Sequence, residues 1–283
     1  MKSVWLLLLA LCAPFASAWN GEVHMAIAEI ALENLNPKAS AEVQRLLNCD
    51  NQPPYDDMLI AATWADDTRK QYNAAWHYIN LHFRKDGRPT ANRPAKENVV
   101  TAIAKYRAVL ADRANSDPER AEALRYLLHF IGDIHQPLHC AALDTDERKT
   151  GDRGGNLFKI GDTTLPNGRR APKNLHALWD SAVGLAFDTR KKDAHEGSRR
   201  AALLLAKYVE HNAARPSRND LRVEDPSMWA QEGVNIARST AYDLDEGQPL
   251  TADYVRKGQQ AAMDRIELAG LRLARFLNGL LGR

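Results

Sequence analysis

The chain has 283 residues, 45% hydrophobic and 26% charged, an ordinary globular composition that allows one large domain or two small ones. Its formal net charge is only +2. No global field therefore draws in a polyanion, and any attraction for phosphate needs a local source such as bound metal.

The first eighteen residues stand apart. Lys2 is a minimal positive region, Val4 to Leu11 is an apolar run, and Ala16-Ser17-Ala18 is an A-x-A cleavage site. The apolar run is too short to span a bilayer comfortably, so no membrane anchor is expected. The pattern predicts a cleaved secretory signal at residues 1–18 and a mature protein beginning at Trp19, exported to a periplasm or beyond the cell. The mature chain keeps 37 basic and 36 acidic side chains. It also keeps Cys49 and Cys140, which pair or remain two free thiols; spacing does not decide between these.

From Val23 to Leu35 the apolar residues follow helical spacing, Asn36-Pro37 ends that helix, and a shorter one runs through Leu47. Asn51-Gln52-Pro53-Pro54 is a loop. The apolar run Leu59 to Ala65 delivers Asp66 and Asp67, and a second short piece carries Trp76-His77-Tyr78-Ile79-Asn80. Residues 86–95 read as a loop. A long helix is predicted from Val99 to about Arg113, and the next opens with Asp117 as cap and Pro118 in its first turn. Residues 144–173 form a long polar loop with at most a small hairpin around Leu157–Ile160. Asn174 caps a helix bearing His176, Leu178, Trp179 and Asp180, and helical patterns fit residues 197–213, 226–245 and 257–281. No run resembles a sheet, and no linker divides the chain. The expected fold is mainly α, one domain over residues 19–283.

The centre of this arrangement is Leu127-Leu128-His129-Phe130-Ile131-Gly132-Asp133-Ile134-His135-Gln136-Pro137-Leu138-His139. His129 and Asp133 are four apart and share a helix face. Pro137 cannot continue the helix and pushes Gln136 out of the α region, so the chain turns and can bring His139 back beside the pair. By themselves these three residues fit a hydrogen-bonded pair as well as a metal site. Of nine histidines, however, His24, His77, His129, His139 and His176 all sit in settings that suit ligation. Asp66 precedes His77 by eleven residues, and His176–Asp180 repeats the four-residue spacing of His129–Asp133. Two such pairs on separate helices can supply rigid chelating halves of one zinc site.

Trp19 with His24, Trp64-Ala65-Asp66, Trp76-His77-Tyr78, the stretch from His129 to His139, Gly154-Gly155-Asn156 and Asn174-Leu175-His176-Ala177-Leu178-Trp179-Asp180 occur in this order. In these motifs the chain resembles the secreted zinc-dependent single-strand nucleases and 3′-nucleotidases of the S-one/P-one family. The resemblance covers residues 19 to about 180; beyond about 190 the match is only in being helical. It implies a single helical domain of the kind shared with phospholipase C and three zinc ions per chain. Asp66, His77, His129 and Asp133 would hold the first. His139, His176 and Asp180 would hold the second. The amino group and carbonyl of Trp19, with His24 and a bridging Asp133, would hold the third.

The resemblance further implies metal-assisted hydrolysis of single-stranded RNA and DNA to products with 5′-phosphates, and action on 3′-nucleotides. Arg69 would hold phosphoryl oxygens, Tyr78 would stack on an unpaired base, and Gly155 and Asn156 would form the base-binding loop. One position departs from the family: Asn80 stands where many members have an Asp thought to orient or deprotonate the attacking water. An amide can orient water but cannot take its proton; Asp67 is the nearest carboxylate that could substitute. Two rival readings are a zinc-dependent phospholipase C and a non-catalytic exported zinc-binding protein. The tight Trp19–His24 spacing, Arg69 and Gly154-Gly155-Asn156 favour the nuclease over the first. Ligands dispersed through helices, not gathered in a flexible His-rich tract, count against the second.

Overall fold

The computed structural model describes residues 19–186 and 194–282; the signal sequence expected at residues 1–18 lies outside the described residues. Helix α1 (Gly21–Glu33) starts where Asn20 accepts a hydrogen bond from the Val23 amide, and α2 (Pro37–Asn48) starts where Asn36 accepts from Ala39 with Pro37 in the first turn. The run leading to Asp66 is not one helix but two single turns, α3 (Met58–Ala61) and α4 (Trp64–Asp67), followed by a 3-10 turn, Gln71–His77. Helix α5 (Val99–Ala111) then leads to α6 (Asp117–Asp133). The cap of α6 is Ser116, one residue earlier than the Asp117 expected. Its hydroxyl and amide both meet the Glu119 carboxylate, and that reciprocal box fixes the start.

Every residue from Ala123 to Asp144 is buried. The apolar face expected of α6 is real, but its polar face is covered as well, because the functional side chains occupy it. Helix α6 ends at Asp133, and Gln136 turns extended at φ −78°, ψ 118°, ahead of the Pro137–His139 turn. The chain then enters a strand that sequence reasoning missed: β2 (Ala141–Leu143) pairs in parallel with β1 (Leu81–Phe83), Leu81 opposite Ala141. Three residues are too few to show alternation, and β2 is buried throughout, so no pattern announced it. In the 144–173 loop the antiparallel contacts are single bridges, Lys159 with Asn174 and Thr164 with Arg170.

Helix α7 (Leu175–Asp180) is capped by Asn174, whose side chain accepts from Ala177. After it come α8 (Ala194–Asn212), a short α9 (Arg218–Arg222) that the sequence did not signal, and α10 (Pro226–Ile236). The pattern expected to run to residue 245 breaks at a π turn, Ala237–Ala241. Helix α11 (Ala252–Leu281) closes the described chain, beginning five residues earlier than its pattern suggested. Helix α1 lies against α3, α6, α8 and α11, while α5 packs on α6. One apolar core lies among these helices; a second forms where β1, β2, the long loop and α7 meet α10 and α11. Cys49 is exposed and Cys140 buried, and both are free thiols. No helix among the described residues is long and apolar enough to cross a membrane.

Candidate metal centre

Six elements bring the site together. Helix α1 carries His24 inward, buried to 1% exposure. Helix α4 presents Asp66, and the 3-10 turn ends on His77. The last turn of α6 and the Pro137–His139 turn present His129, Asp133 and His139, and α7 presents His176 and Asp180 across one helical turn. The Trp19 indole donates to Gly132 O at 3.0 Å and the Asn20 amide donates to Asp180 O at 2.9 Å, so the chain entering α1 is bound to both α6 and α7.

The side chains fall into three groups: His24, His129 and Asp133; Asp66, His77 and His129; and His139, His176 and Asp180. Asp133 separates the first two with its own atoms. Its Oδ1 is 3.4 Å from His24 Nε2, while its Oδ2 is 3.1 Å from His77 Nδ1 and 3.3 Å from His129 Nε2. Asp66 Oδ1 is 3.5 Å from His77 Nδ1 and 3.7 Å from His129 Nε2. Asp180 lies 3.6 Å from His139 Nε2 and 3.5 Å from His176 Nε2.

Most of these separations are long for hydrogen bonds and right for something else. Ligand atoms about 2.0–2.2 Å from a tetrahedral zinc sit about 3.3–3.6 Å from one another. His24 Nε2, Asp66 Oδ1, Asp133 Oδ1, His139 Nε2 and His176 Nε2 are buried with no hydrogen-bond partner. Each such atom costs roughly 1–3 kcal/mol unless something fills its valence. A cation shared within each group satisfies them, so the residues fit zinc. The opposite edges of the rings are tied to backbone: His129 Nδ1 to Ala62 O at 2.7 Å, His139 Nδ1 to His77 O at 2.8 Å, and His176 Nδ1 to Gly154 O at 2.6 Å. Each bond places the proton on Nδ1 and leaves Nε2 as a lone pair facing the cluster.

The electrostatics describe the same competition for a cation. Burial lowers His24 to about 4, with nearby His129 adding to the effect. Burial likewise lowers His77 and His176. Burial opposes charge on His129 too, but the Asp133 and Asp66 carboxylates outweigh it and raise that imidazole to about 9. For Asp133, burial works against ionisation and loses to the three surrounding imidazoles, which hold its carboxyl well below the usual range. Carboxylates that draw a proton onto His129 draw a dication more strongly, and binding then releases the proton.

The remaining positions identified from sequence differ in placement. Arg69 Nη1 is 3.6 Å from Asp66 Oδ1, at the edge of the cluster. Tyr78 and Asn80 are half-buried just beyond His77, and no hydrogen bond joins the Asn80 amide to the cluster among the described residues. Asp67 Oδ2 accepts from Thr63 Oγ1 at 2.7 Å and from Tyr55 Oη at 3.2 Å. Gly155 is buried, and the Asn156 side chain donates to Arg153 O at 2.8 Å.

Comparison with known proteins fits this geometry. The family model described as S1/P1 Nuclease matches residues 19–282. The chain belongs to the S1/P1 nuclease family. It is 27% identical to Endonuclease 2 of Arabidopsis thaliana over 99% of this chain and 95% of that protein. It is 30% identical to Nuclease P1 of Penicillium citrinum, covering 93% and 98%, and 26% identical to Nuclease S1 of Aspergillus oryzae, covering 94% and 93%. The match reaches past residue 190, where sequence motifs alone had run out.

Sequence reasoning missed the residues of this S1/P1 centre that act through others. Gln136 Nε2 donates to Asp180 Oδ1 at 2.8 Å, across 44 positions. Gly132 leaves room for His24, whose Nδ1 would lie 2.8 Å from a Cβ there. Gly154 has φ +62°, and a Cβ would meet Leu138 O at 2.4 Å. The glycines were visible as letters, but only packing shows what they make room for.

Proposed function

We propose that this S1/P1 family member is an exported trinuclear-zinc endonuclease and 3′-nucleotidase. It would hydrolyse single-stranded RNA and DNA to fragments with 5′-phosphates. The observation that carries the reading is the set of nitrogen–oxygen separations near 3.5 Å, each with at least one buried ligand atom that has no hydrogen-bond partner. Asp66, His77, His129 and Asp133 would hold one zinc, and His139, His176 and Asp180 a second. Trp19, His24 and Asp133 would hold the third. The α-amino group of Trp19 becomes free only if cleavage follows Ala18, and the start of the family match at Trp19 supports that boundary.

Zinc, when bound, supplies Lewis acidity to phosphoryl and leaving oxygens and makes water acidic enough to react near neutral pH. The chain does the rest. Asp133 spans two groups with one oxygen each, which fixes their spacing. Arg69 holds the phosphoryl oxygens at the rim, where Asp66 orients its guanidinium. Tyr78 stacks on an unpaired base, a face that a duplex does not offer. The Gly155–Asn156 turn meets the base edge. Asn80 orients a water without accepting its proton.

Metal analysis of the mature protein, with end-group analysis of products from single-stranded RNA, DNA and 3′-nucleotides, tests the reading. About three zinc ions per chain, 5′-phosphate ends and loss of activity on chelation are expected. Active protein with one zinc or none would overturn it, as would hydrolysis of phosphatidylcholine with nucleic acid left intact.

A further inference from the structure

Asp152 has no part in the centre described above, yet it is fully buried, and among the described residues no salt bridge holds it, although the charge of Arg148 reaches it. Its Oδ1 accepts from the Leu143 amide of β2 at 2.9 Å, and its Oδ2 accepts from Tyr242 Oη at 2.8 Å. The Gly155 amide also donates to it. Tyr242, 1% exposed, follows the π turn and is wedged edge-on between Phe83 and Phe158, ring centroids 5.4 and 5.6 Å away. A π turn adds a residue to the helical register, and here it re-aims one side chain at one buried acid.

The loop that Asp152 opens leads directly to the metal centre. Two residues on, the Gly154 carbonyl accepts from His176 Nδ1 at 2.6 Å; Gly155 O accepts from the His176 amide at 3.3 Å. Gly154 and Gly155 have φ +62° and +84°, so the turn keeps its shape only if it is pinned at both ends. His176 is one pin. Asp152, fastened to β2 and Tyr242, is the other.

We propose that Asp152, held by Tyr242, is a positioning residue: it sets the Gly154 carbonyl that orients His176 and, with the same turn, the Gly155–Asn156 base loop. The proposal rests on the nuclease reading for its consequence in zinc binding, not for its geometry. Asp152→Asn keeps the shape and both contacts, since its amide oxygen accepts from Leu143 and its amide nitrogen donates to Tyr242 Oη, reversing the direction of that one bond. Asp152→Ala leaves the Leu143 amide and Tyr242 hydroxyl without an acceptor and frees the turn. Tyr242→Phe removes a single hydroxyl and with it the hydrogen bond to Asp152 Oδ2.

The test combines zinc titration of each variant with nitrogen-15 NMR of the His176 tautomer in chelated protein. Asp152→Ala is expected to weaken one of three zinc ions by about 10–100-fold, with a raised KM for oligonucleotides. Its His176 should lose the pure Nδ1-protonated form. Asp152→Asn should restore both readouts. Where Asp152→Ala does not fold, Tyr242→Phe carries the test, with about tenfold weaker binding of one zinc expected. Folded variants that keep wild-type zinc affinity and the wild-type tautomer overturn the proposal and leave the nuclease reading standing. A wild-type protein that takes up no zinc on titration, with a His176 tautomer that nevertheless changes in Asp152→Ala, supports the proposal and removes the nuclease reading.

Discussion

In Asp133 the two oxygens of one carboxylate face different groups, Oδ1 toward His24 and Oδ2 toward His77 and His129. In the proposed centre, removing it would withdraw a ligand from two metals, whereas removing Asp180 would withdraw one. Asp133→Ala is expected to retain about one of three zinc ions and Asp180→Ala about two, by metal analysis of purified protein. The reverse order would show that Asp133 does not bridge. Away from the centre, Arg125 is fully buried and meets Asp50 through hydrogen bonds of 2.6 and 2.7 Å. Those bonds hold the Asp50 carboxyl below its ordinary 3.8. A carboxyl lowered on folding stabilises the protein above its unfolded value and loses that contribution as pH falls through the folded one. Arg125→Met should thus cost about 2–3 kcal/mol near neutral pH. Below pH 3.8 the gap to wild type should narrow, read from urea unfolding of chelated protein at both pH values. A gap that is the same at both would mean that Asp50 contributes no charge to the pair.

At the scale of elements, what could be read from sequence depended on whether partners are close in the chain. The His129–Asp133 and His176–Asp180 pairs share a helix face, so spacing alone located them. Pro137 announced the turn that returns His139. By contrast, β1 and β2 pair across 60 positions with three residues each, and the Gln136–Asp180 bond spans 44; neither leaves a local trace. The break between α3 and α4 and the π turn after α10 are invisible for a related reason: the apolar pattern continues through both while the backbone changes register. Gly132 gives this a test. Alanine is favoured over glycine inside a helix by about 1 kcal/mol, yet a Cβ there would press to 2.8 Å from His24 Nδ1. Gly132→Ala should leave helical circular dichroism unchanged while weakening zinc binding by the His24 group. Full zinc content and full activity would show that α1 can shift to make room.

Taken whole, the molecule wraps its centre in helices that come from distant parts of the chain. The residues of the three groups lie between His24 and Asp180. The helix that carries His24 nevertheless rests on α8 and α11, which follow all of them. The fit with α11 is close: a Cβ at Gly270 would come within 2.6 Å of Ile30. Until residues 252–281 are in place, one long side of α1 has nothing apolar to bury against, and a helix of 13 residues is marginal on its own. A chain ending before Ala252 is expected to bind less than one zinc per molecule; three tightly held ions in such a truncation would contradict this. The order of synthesis thus acts as a safety catch. A nuclease is made on a single-stranded nucleic acid, and the groups that would hold its metals do not close until α11, encoded after every one of their residues, has been read.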